Sequence, residues 1–274
     1  MSSLLKSSVC RVLACVYALV VAATAYAGNP WATQVIAFDA GVNPEPGYAD
    51  PTVVLGEPER FTGEGVWPGA VTPFNPPWAA DEIVSIGAQG SLTVRFEQPI
   101  TNDPAHPFGV DLLIFGNGGF IDGAWPAGTV GGLLEDGPFT VSFSADGAQF
   151  FPLSGEFMDA MFPMLGYADL SDPYATEPGL VPTDFTKPVD PTLTYEDIAG
   201  KSFSELLALY DGSGGGIPID ISSTGLSVVQ FVRIDVPGNA SSVEIDAFAV
   251  VPEPSAAMLF GLLILNALRR KLPW

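Results

Sequence analysis

Between residues 28 and 251 the apolar segments are short, and glycine or proline punctuates them throughout. With 30 glycines and 26 prolines in the 274-residue chain, this stretch reads as an all-β domain with many turns. The alternation is explicit in two places. In Ser91–Glu97, Leu92, Val94 and Phe96 oppose Thr93, Arg95 and Glu97; in Phe139–Ser144, Val141 and Phe143 oppose Thr140, Ser142 and Ser144. A period of two places each set on one face of a strand. Asp146-Gly147 is a hairpin signal, so Gln149–Leu153 is expected to return as the partner strand. Gln34–Phe38 reads as a first strand, and the more continuously apolar Gly109–Phe115 as a central one. Val228–Val236 and Ser242–Val250 read as two more, joined across Pro237-Gly238-Asn239.

One short helix is predicted over Ser202–Tyr210. Leu206, Leu207 and Tyr210 recur at helical spacing, and Ser202 with Glu205 three residues on forms a capping-box pattern. Asp211–Gly216 is expected to end it as a flexible glycine loop. Gly155–Pro191, poor in strand pattern and rich in Pro, Asp and Tyr, is expected to be a long loop insertion packed on the sandwich.

The two ends read as addresses. Residues 1–27 carry Lys6 and Arg11, an apolar run from Val12 to Ala23 and Ala25-Tyr26-Ala27, the pattern of a signal peptide cleaved after Ala27. Residues 252–274 carry Pro252-Glu253-Pro254, an apolar run from Ala256 to Leu268, and then Arg269, Arg270 and Lys271. A span needs about 20 apolar residues. Val250–Leu268 suffices if the Pro-Glu-Pro region sits among the headgroups, with the cations kept on the cytoplasmic side. This three-part tail resembles the PEP-CTERM sorting signal of bacterial exported proteins. The resemblance implies recognition by a membrane-bound exosortase-type processing enzyme and a destination in the cell envelope or outside the cell. The expected organisation is a signal peptide (1–27), a β domain (28–251) and a sorting segment with a transmembrane helix (252–274).

Both cysteines, Cys10 and Cys15, fall in the leader. The domain therefore has no disulfide, cysteine ligand or cysteine nucleophile and must be held by its core. Residues 28–251 hold five basic and 30 acidic side chains, a formal charge of −25. Such a surface repels nucleic acid and anionic polymers. It suits divalent cations, which take carboxylate oxygens, and equally suits plain solvation.

Several stretches of the body resemble exported β-sandwich domains found ahead of PEP-CTERM tails. They are Tyr48–Pro51 running to Val54–Pro58, Ile83–Gly87 with Gly90–Val94, Gly109–Asn117, Phe231–Asp235 and Glu244–Phe248. Their order is similar to the galactose-binding, discoidin-like jelly roll, which implies a jelly-roll β-sandwich. Jelly rolls of this kind often bind structural calcium between an early loop and the last strand. Asp39 and Asp50 are the early candidates here, Glu244 and Asp246 the late ones. Asp246 is expected to share a strand face with Glu244 and Phe248, facing away from Ile245 and Ala247.

Asp111, an acid inside an apolar strand, needs a partner, since an unpaired buried carboxylate is costly; Arg95, Arg233, another cation or backbone donors are candidates. Trp67, Trp78 and Trp125 lie in proline-flanked loops. There an indole either stacks on a sugar ring or pins its loop to the sandwich. His106, flanked by prolines, reads as incidental, and no Gly-x-Ser-x-Gly, His-Glu-x-x-His or phosphate loop is present. The expected function is that of a non-catalytic exported surface or matrix protein. The alternatives are a lectin-like module for an extracellular polysaccharide and, further off, a glycoside-active enzyme with paired carboxylates.

Overall fold

The structure, a computed structural model, describes residues 28–134, 137–159 and 161–252. The leader and the tail beyond Pro252, including Glu253, Pro254, Arg269, Arg270 and Lys271, lie outside the described residues. No helix among the described residues is long and apolar enough to cross a membrane.

The body is an all-β sandwich. Its strands are β1 (Ala32–Asp39), β2 (Phe61–Thr62), β3 (Gly69–Ala70), β4 (Val84–Ile86), β5 (Ser91–Thr101), β6 (Leu112–Gly116), β7 (Gly119–Asp122) and β8 (Val130–Leu134), followed by β9 (Thr140–Ser144), β10 (Phe151–Pro152), β11 (Ile217–Ile219), β12 (Val228–Asp235) and β13 (Val243–Val250). One sheet has the order β1-β5-β12-β9-β10 and the other β11-β6-β13-β4, with β2-β3 and β7-β8 as separate hairpins. All ladders are antiparallel. From β4 to β5 to β6, and again from β10 through β11 and β12 to β13, the chain changes sheet at every step. That is the winding of a jelly roll. The Pro237-Gly238-Asn239 connection therefore links strands of opposite sheets rather than a paired hairpin.

The alternating strands do what their pattern requires. Leu92, Val94 and Phe96 of β5, Val141 and Phe143 of β9, and Val232 and Ile234 of β12 meet Leu112, Ile114, Val243, Ile245 and Phe248 of the other sheet in one buried cluster. Each such side chain contributes roughly 1.5–3 kcal/mol on burial. In β6 the period of two splits the apolar run between two cores. Leu112 and Ile114 face the sandwich interior, while Leu113 and Phe115 pack outward with Ala247, Ala249, Met164 and Phe185. The insertion thus covers the outer face of the second sheet, which is why β6 carries no polar face.

β5 runs on to Thr101 through Pro99. The β5–β12 register jumps between Val229↔Ile100 and Phe231↔Arg95, and Gln230 Nε2 donates to the Phe96 carbonyl at 3.1 Å across the gap. A proline lacks the N–H of a regular ladder and is accommodated at such an irregularity.

Three expectations are corrected. β13 carries a bulge between Ile245 and Ala247. Beyond it the alternation inverts, so Phe248 joins Val243 and Ile245 inside while Ala247 packs outside. Among the described residues there are two α-helices rather than one. Besides α2 (Phe203–Tyr210) there is a single turn, α1 (Tyr195–Ile198), with the Thr194–Asp197 capping box. The Ser202 cap is as expected, its N–H donating to Glu205 Oε2 at 2.8 Å.

Finally, the glycine run after α2 is packed rather than loose. A Cβ on Gly214 would lie 2.1 Å from the Phe185 ring, and one on Gly216 2.7 Å from Phe115. These glycines permit close approach to the Phe185 and Phe115 rings in the cluster on the outer face of the second sheet. A second apolar cluster, with Phe74, Phe120, Phe162, Phe203, Leu206 and Tyr210, ties the helices and the β7-β8 hairpin to the insertion.

Candidate functional site

Two turns present tryptophan to solvent, and a buried or well-satisfied carboxylate braces each of them. In the first, residues 63–67, Trp67 is 78% exposed. Its N–H closes the turn on the Gly63 carbonyl at 3.0 Å. Beneath it Glu82 is buried. It accepts the Thr62 hydroxyl at 2.5 Å, the Gly63 N–H at 2.8 Å, and the Trp78 and Ala79 N–H groups at 3.1 and 3.0 Å. Trp78 is half-buried, with its ring against Gly63, where an added Cβ would lie 2.4 Å away. Of the two roles open to the tryptophans, Trp78 pins its loop, and Trp67 and Trp125 present their rings.

In the second turn, between β7 and β8, Trp125 is 74% exposed and tilts against Tyr174 with ring centroids 6.4 Å apart. Asp122 braces this turn, accepting the Ala124, Gly128 and Thr129 N–H groups, each at 2.9 Å, and the Tyr174 hydroxyl at 3.2 Å. Burial acts to raise the Asp122 carboxyl, and these donors outweigh it, so that it sits below its ordinary value. Tyr174 is pushed up to about 12, first by burial and then by the Asp122 charge.

Beside the first turn lies a cavity of about 370 Å³ lined by Glu57, Glu59, Arg60, Glu64, Asp81 and Glu82, among others. Burial, then the charges of Glu82, Asp81, Glu64 and Glu57, raises Glu59 to about 7. Asp246 lies next to it, accepting the Glu59 N–H at 3.0 Å. Burial holds Asp246 well above the usual carboxylate range; the Glu59 N–H opposes the shift, and the charges of Glu59, Glu82 and Asp159 add to it. Asp159, also buried, is raised to about 6 by burial, against the N–H groups of Gly118 and Gly116. Arg60 closes one side, with Nη1 on the Gly166 carbonyl at 2.7 Å and its guanidinium 4.2 Å from the Phe185 ring centroid.

The four calcium candidates are not brought together. Asp39 accepts its own turn's Gly41 N–H at 3.0 Å. Asp50 caps the 3-10 turn Pro51–Val54 through the Thr52 hydroxyl and N–H, at 2.7 and 2.9 Å. Glu244 accepts the Ser85 hydroxyl at 2.7 Å, and Asp246 accepts the Glu59 N–H at 3.0 Å. Among the described residues no three His, Cys, Asp or Glu side chains form a group that could hold a metal ion.

Asp111 finds the backbone donors expected of it, the Asp103 N–H at 3.2 Å and the Ile221 N–H at 3.0 Å. It meets neither Arg95, which reaches Gln34, nor Arg233, which pairs with Asp235. Its side-chain partner, not expected from the sequence, is His106, with Nδ1 2.7 Å from Asp111 Oδ1. The signal was present in the sequence: a carboxylate inside an apolar strand, with the chain's single histidine five residues ahead.

Fold and surface define a class: a jelly-roll β-sandwich that presents braced aromatic turns on an acidic body. No protein-family profile and no curated protein matches this sequence. Among solved structures, a pectin-binding carbohydrate-binding module, determined in a monoclinic crystal form, is similar at 10% identity. The match covers 80% of this chain and 92% of that one, with a TM-score of 0.30. The CBM32 module of AlyQ in complex with 4,5-unsaturated mannuronic acid is similar at 9% identity, covering 80% of this chain and 96% of that one, with a TM-score of 0.29.

Proposed function

We propose that this chain is an exported, non-catalytic carbohydrate-binding protein, displayed at the cell surface or in the extracellular matrix. The observation that carries the reading is the pair of exposed indoles, Trp67 and Trp125, standing on turns whose backbone N–H groups are held by Glu82 and Asp122. A rigidly held, exposed indole offers an amphipathic face, and the face of a sugar ring is amphipathic in the same way. Preorganised turns lose little conformational freedom on binding. The −25 formal charge of residues 28–251 favours neutral over anionic polysaccharides.

Affinity electrophoresis of the full chain through gels containing neutral or acidic polysaccharides tests this. At least one neutral polymer is expected to retard the protein. Trp67→Ala and Trp125→Ala should each weaken retention by about tenfold, the scale of one aromatic contact, without lowering the melting temperature. No retardation by any polymer, or a double variant retained like the parent, overturns the reading.

Glu59 favours a second reading, glycoside activity. A carboxyl near 7 beside other carboxylates over a cavity has the character of a general acid. Release of reducing ends from a retarding polysaccharide, lost in Glu59→Gln, would replace binding with hydrolysis as the function.

Export rests on the leader and the three-part tail. Changing Pro252-Glu253-Pro254 to three alanines is expected to leave a larger, membrane-retained species in cells carrying a matching exosortase. Identical mobility and surface release of both forms would remove the sorting proposal.

A further inference from the structure

The loop from β5 to β6 and the loop from β11 to β12 are tied together by Asp111. Its carboxylate accepts the Asp103 N–H at 3.2 Å and the His106 Nδ1 at 2.7 Å on one oxygen, and the Ile221 N–H at 3.0 Å on the other. A neutral histidine that donates from Nδ1 to a carboxylate presents Nε2 as a bare acceptor. The His106 side chain is 0% exposed, and its Nε2 has no hydrogen-bond partner. Leaving a buried acceptor unpaired forfeits its solvation with nothing in return, and such an atom in a folded protein calls for an explanation.

His106 also lines a cavity of about 360 Å³, together with Asn102, Pro104, Phe108, Gly109, Asp220 and Ser222. Its walls are of two kinds. Pro104 and the Phe108 ring, 57% exposed, are apolar. Asn102, His106, Asp220 and Ser222 are polar. Phe108 holds a left-handed backbone, φ 59° and ψ 11°, followed by Gly109 at φ 73°. Non-glycine residues seldom adopt that conformation, and it recurs at ligand clamps.

We propose that this cavity binds one neutral sugar ring, with a ring hydroxyl donating to His106 Nε2 and an apolar ring face against Phe108. The volume lies at the small end of ligand pockets, roughly 300–1,000 Å³, which fits a single ring rather than a chain of them. A bare nitrogen acceptor selects a hydroxyl donor and gives a carboxylate nothing to bind. Asp220 on the same wall repels uronates. Because the imidazole has no exposed surface, the hydroxyl enters as the Pro107–Gly109 turn yields. That turn is closed by the Gly109 N–H on the His106 carbonyl and the Val110 N–H on the Pro107 carbonyl. This site is separate from Trp67 and Trp125.

The chain has one histidine, so its imidazole nitrogens give unambiguous NMR signals. In the full chain held in detergent and labelled with ¹⁵N-histidine, methyl β-D-glucopyranoside and methyl β-D-galactopyranoside are the probes, with galacturonic acid as the anionic control. At least one neutral probe is expected to move the Nε2 resonance saturably from the bare-acceptor position toward that of a hydrogen-bonded nitrogen, while galacturonic acid leaves it in place.

Phe108→Ala removes only an exposed ring. It should weaken the neutral titration by about tenfold and leave the resonance of the free protein where it was. An Nε2 signal unmoved by both neutral probes, moved equally by galacturonic acid, or titrating identically in Phe108→Ala overturns the proposal. The Trp67→Ala, Trp125→Ala double variant should keep the titration. Loss of polysaccharide binding with the titration intact would therefore separate the failure of the surface reading from that of this site.

Discussion

Replacing Glu82 by alanine is expected to cost more than about 3 kcal/mol of stability, since each hydrogen bond to a charged group contributes about 1.5–3 kcal/mol and each orphaned buried donor carries its own penalty. Four donors converge on this carboxylate: the Thr62 hydroxyl and the N–H groups of Gly63, Trp78 and Ala79. They come from both ends of the segment that leads from β2 to β4, so the loss is not local to one turn. For a domain of this size the melting temperature should fall on the order of 10 °C, and the urea midpoint should drop with an unchanged slope.

Glu82→Gln keeps the volume and one acceptor oxygen but brings two N–H donors to a place that already holds four. It should recover only part of the loss. Trp67, carried on the same segment, should lose the sugar contact proposed for it in the alanine variant, while Trp125 keeps the one proposed for it. A Glu82→Ala protein as stable as the parent would show that these donors find other acceptors and that the turn is not braced as described.

The second large effect is an inverted dependence on pH. Three carboxyls are raised: Glu59 to about 7, Asp159 to about 6, and Asp246 well above its usual range. In the unfolded chain they return to about 4. Across the interval from about pH 4 to 7 the folded protein therefore holds more protons than the unfolded one, and stability must fall as pH rises. Buried Asp159 alone supplies on the order of 3 kcal/mol of this change.

Another group acts in the opposite sense at lower pH. Asp50, Asp122, Asp146, Asp169 and Asp190 are held below their ordinary value with hydrogen bonds as the lowering cause. Their contribution is present above about pH 4 and is lost as the pH falls through their folded values. The melting temperature should therefore peak near pH 5 and decline toward pH 7.5. Asp246→Asn and Asp159→Asn should each raise stability at pH 7.5 and flatten the decline. A melting temperature that rises from pH 5 to 7.5, or a decline unchanged in the double variant, would contradict the burial that raises these carboxyls.

The sequence carried the elements whose cause is local. The period of two in Ser91–Glu97 and Phe139–Ser144, the Asp146-Gly147 turn and the Ser202–Glu205 cap each depend on residues a few positions apart, and β5, β9, β10 and α2 stand where those patterns put them. The same holds for an all-β body without cysteine, which must be held by its buried apolar faces. Composition and alternation determined that much without reference to any distant residue.

Which face meets what was decided only by the tertiary structure. The bulge at Ile245–Ala247 reverses the second half of β13, because one extra residue opposite β6 shifts every following side chain to the other face. The glycines after α2 look flexible in sequence and are packed in the fold, because the rings of Phe185 and Phe115 arrive from elsewhere in the chain. The acids of the cavity come from residues 57–64 and 81–82, with Asp246 bonded to the Glu59 N–H, and the raised proton affinities of Glu59 and Asp246 arise first from burial that no local pattern encodes. Asp111 declared in the sequence that it needed a partner. That its side-chain partner is His106, a residue lining a cavity, and that this leaves Nε2 unpaired, follows from two loops, each crossing between the sheets, meeting at one end of the sandwich. Local periodicity sets the period of a strand, whereas the partners of buried polar groups are set by long-range packing.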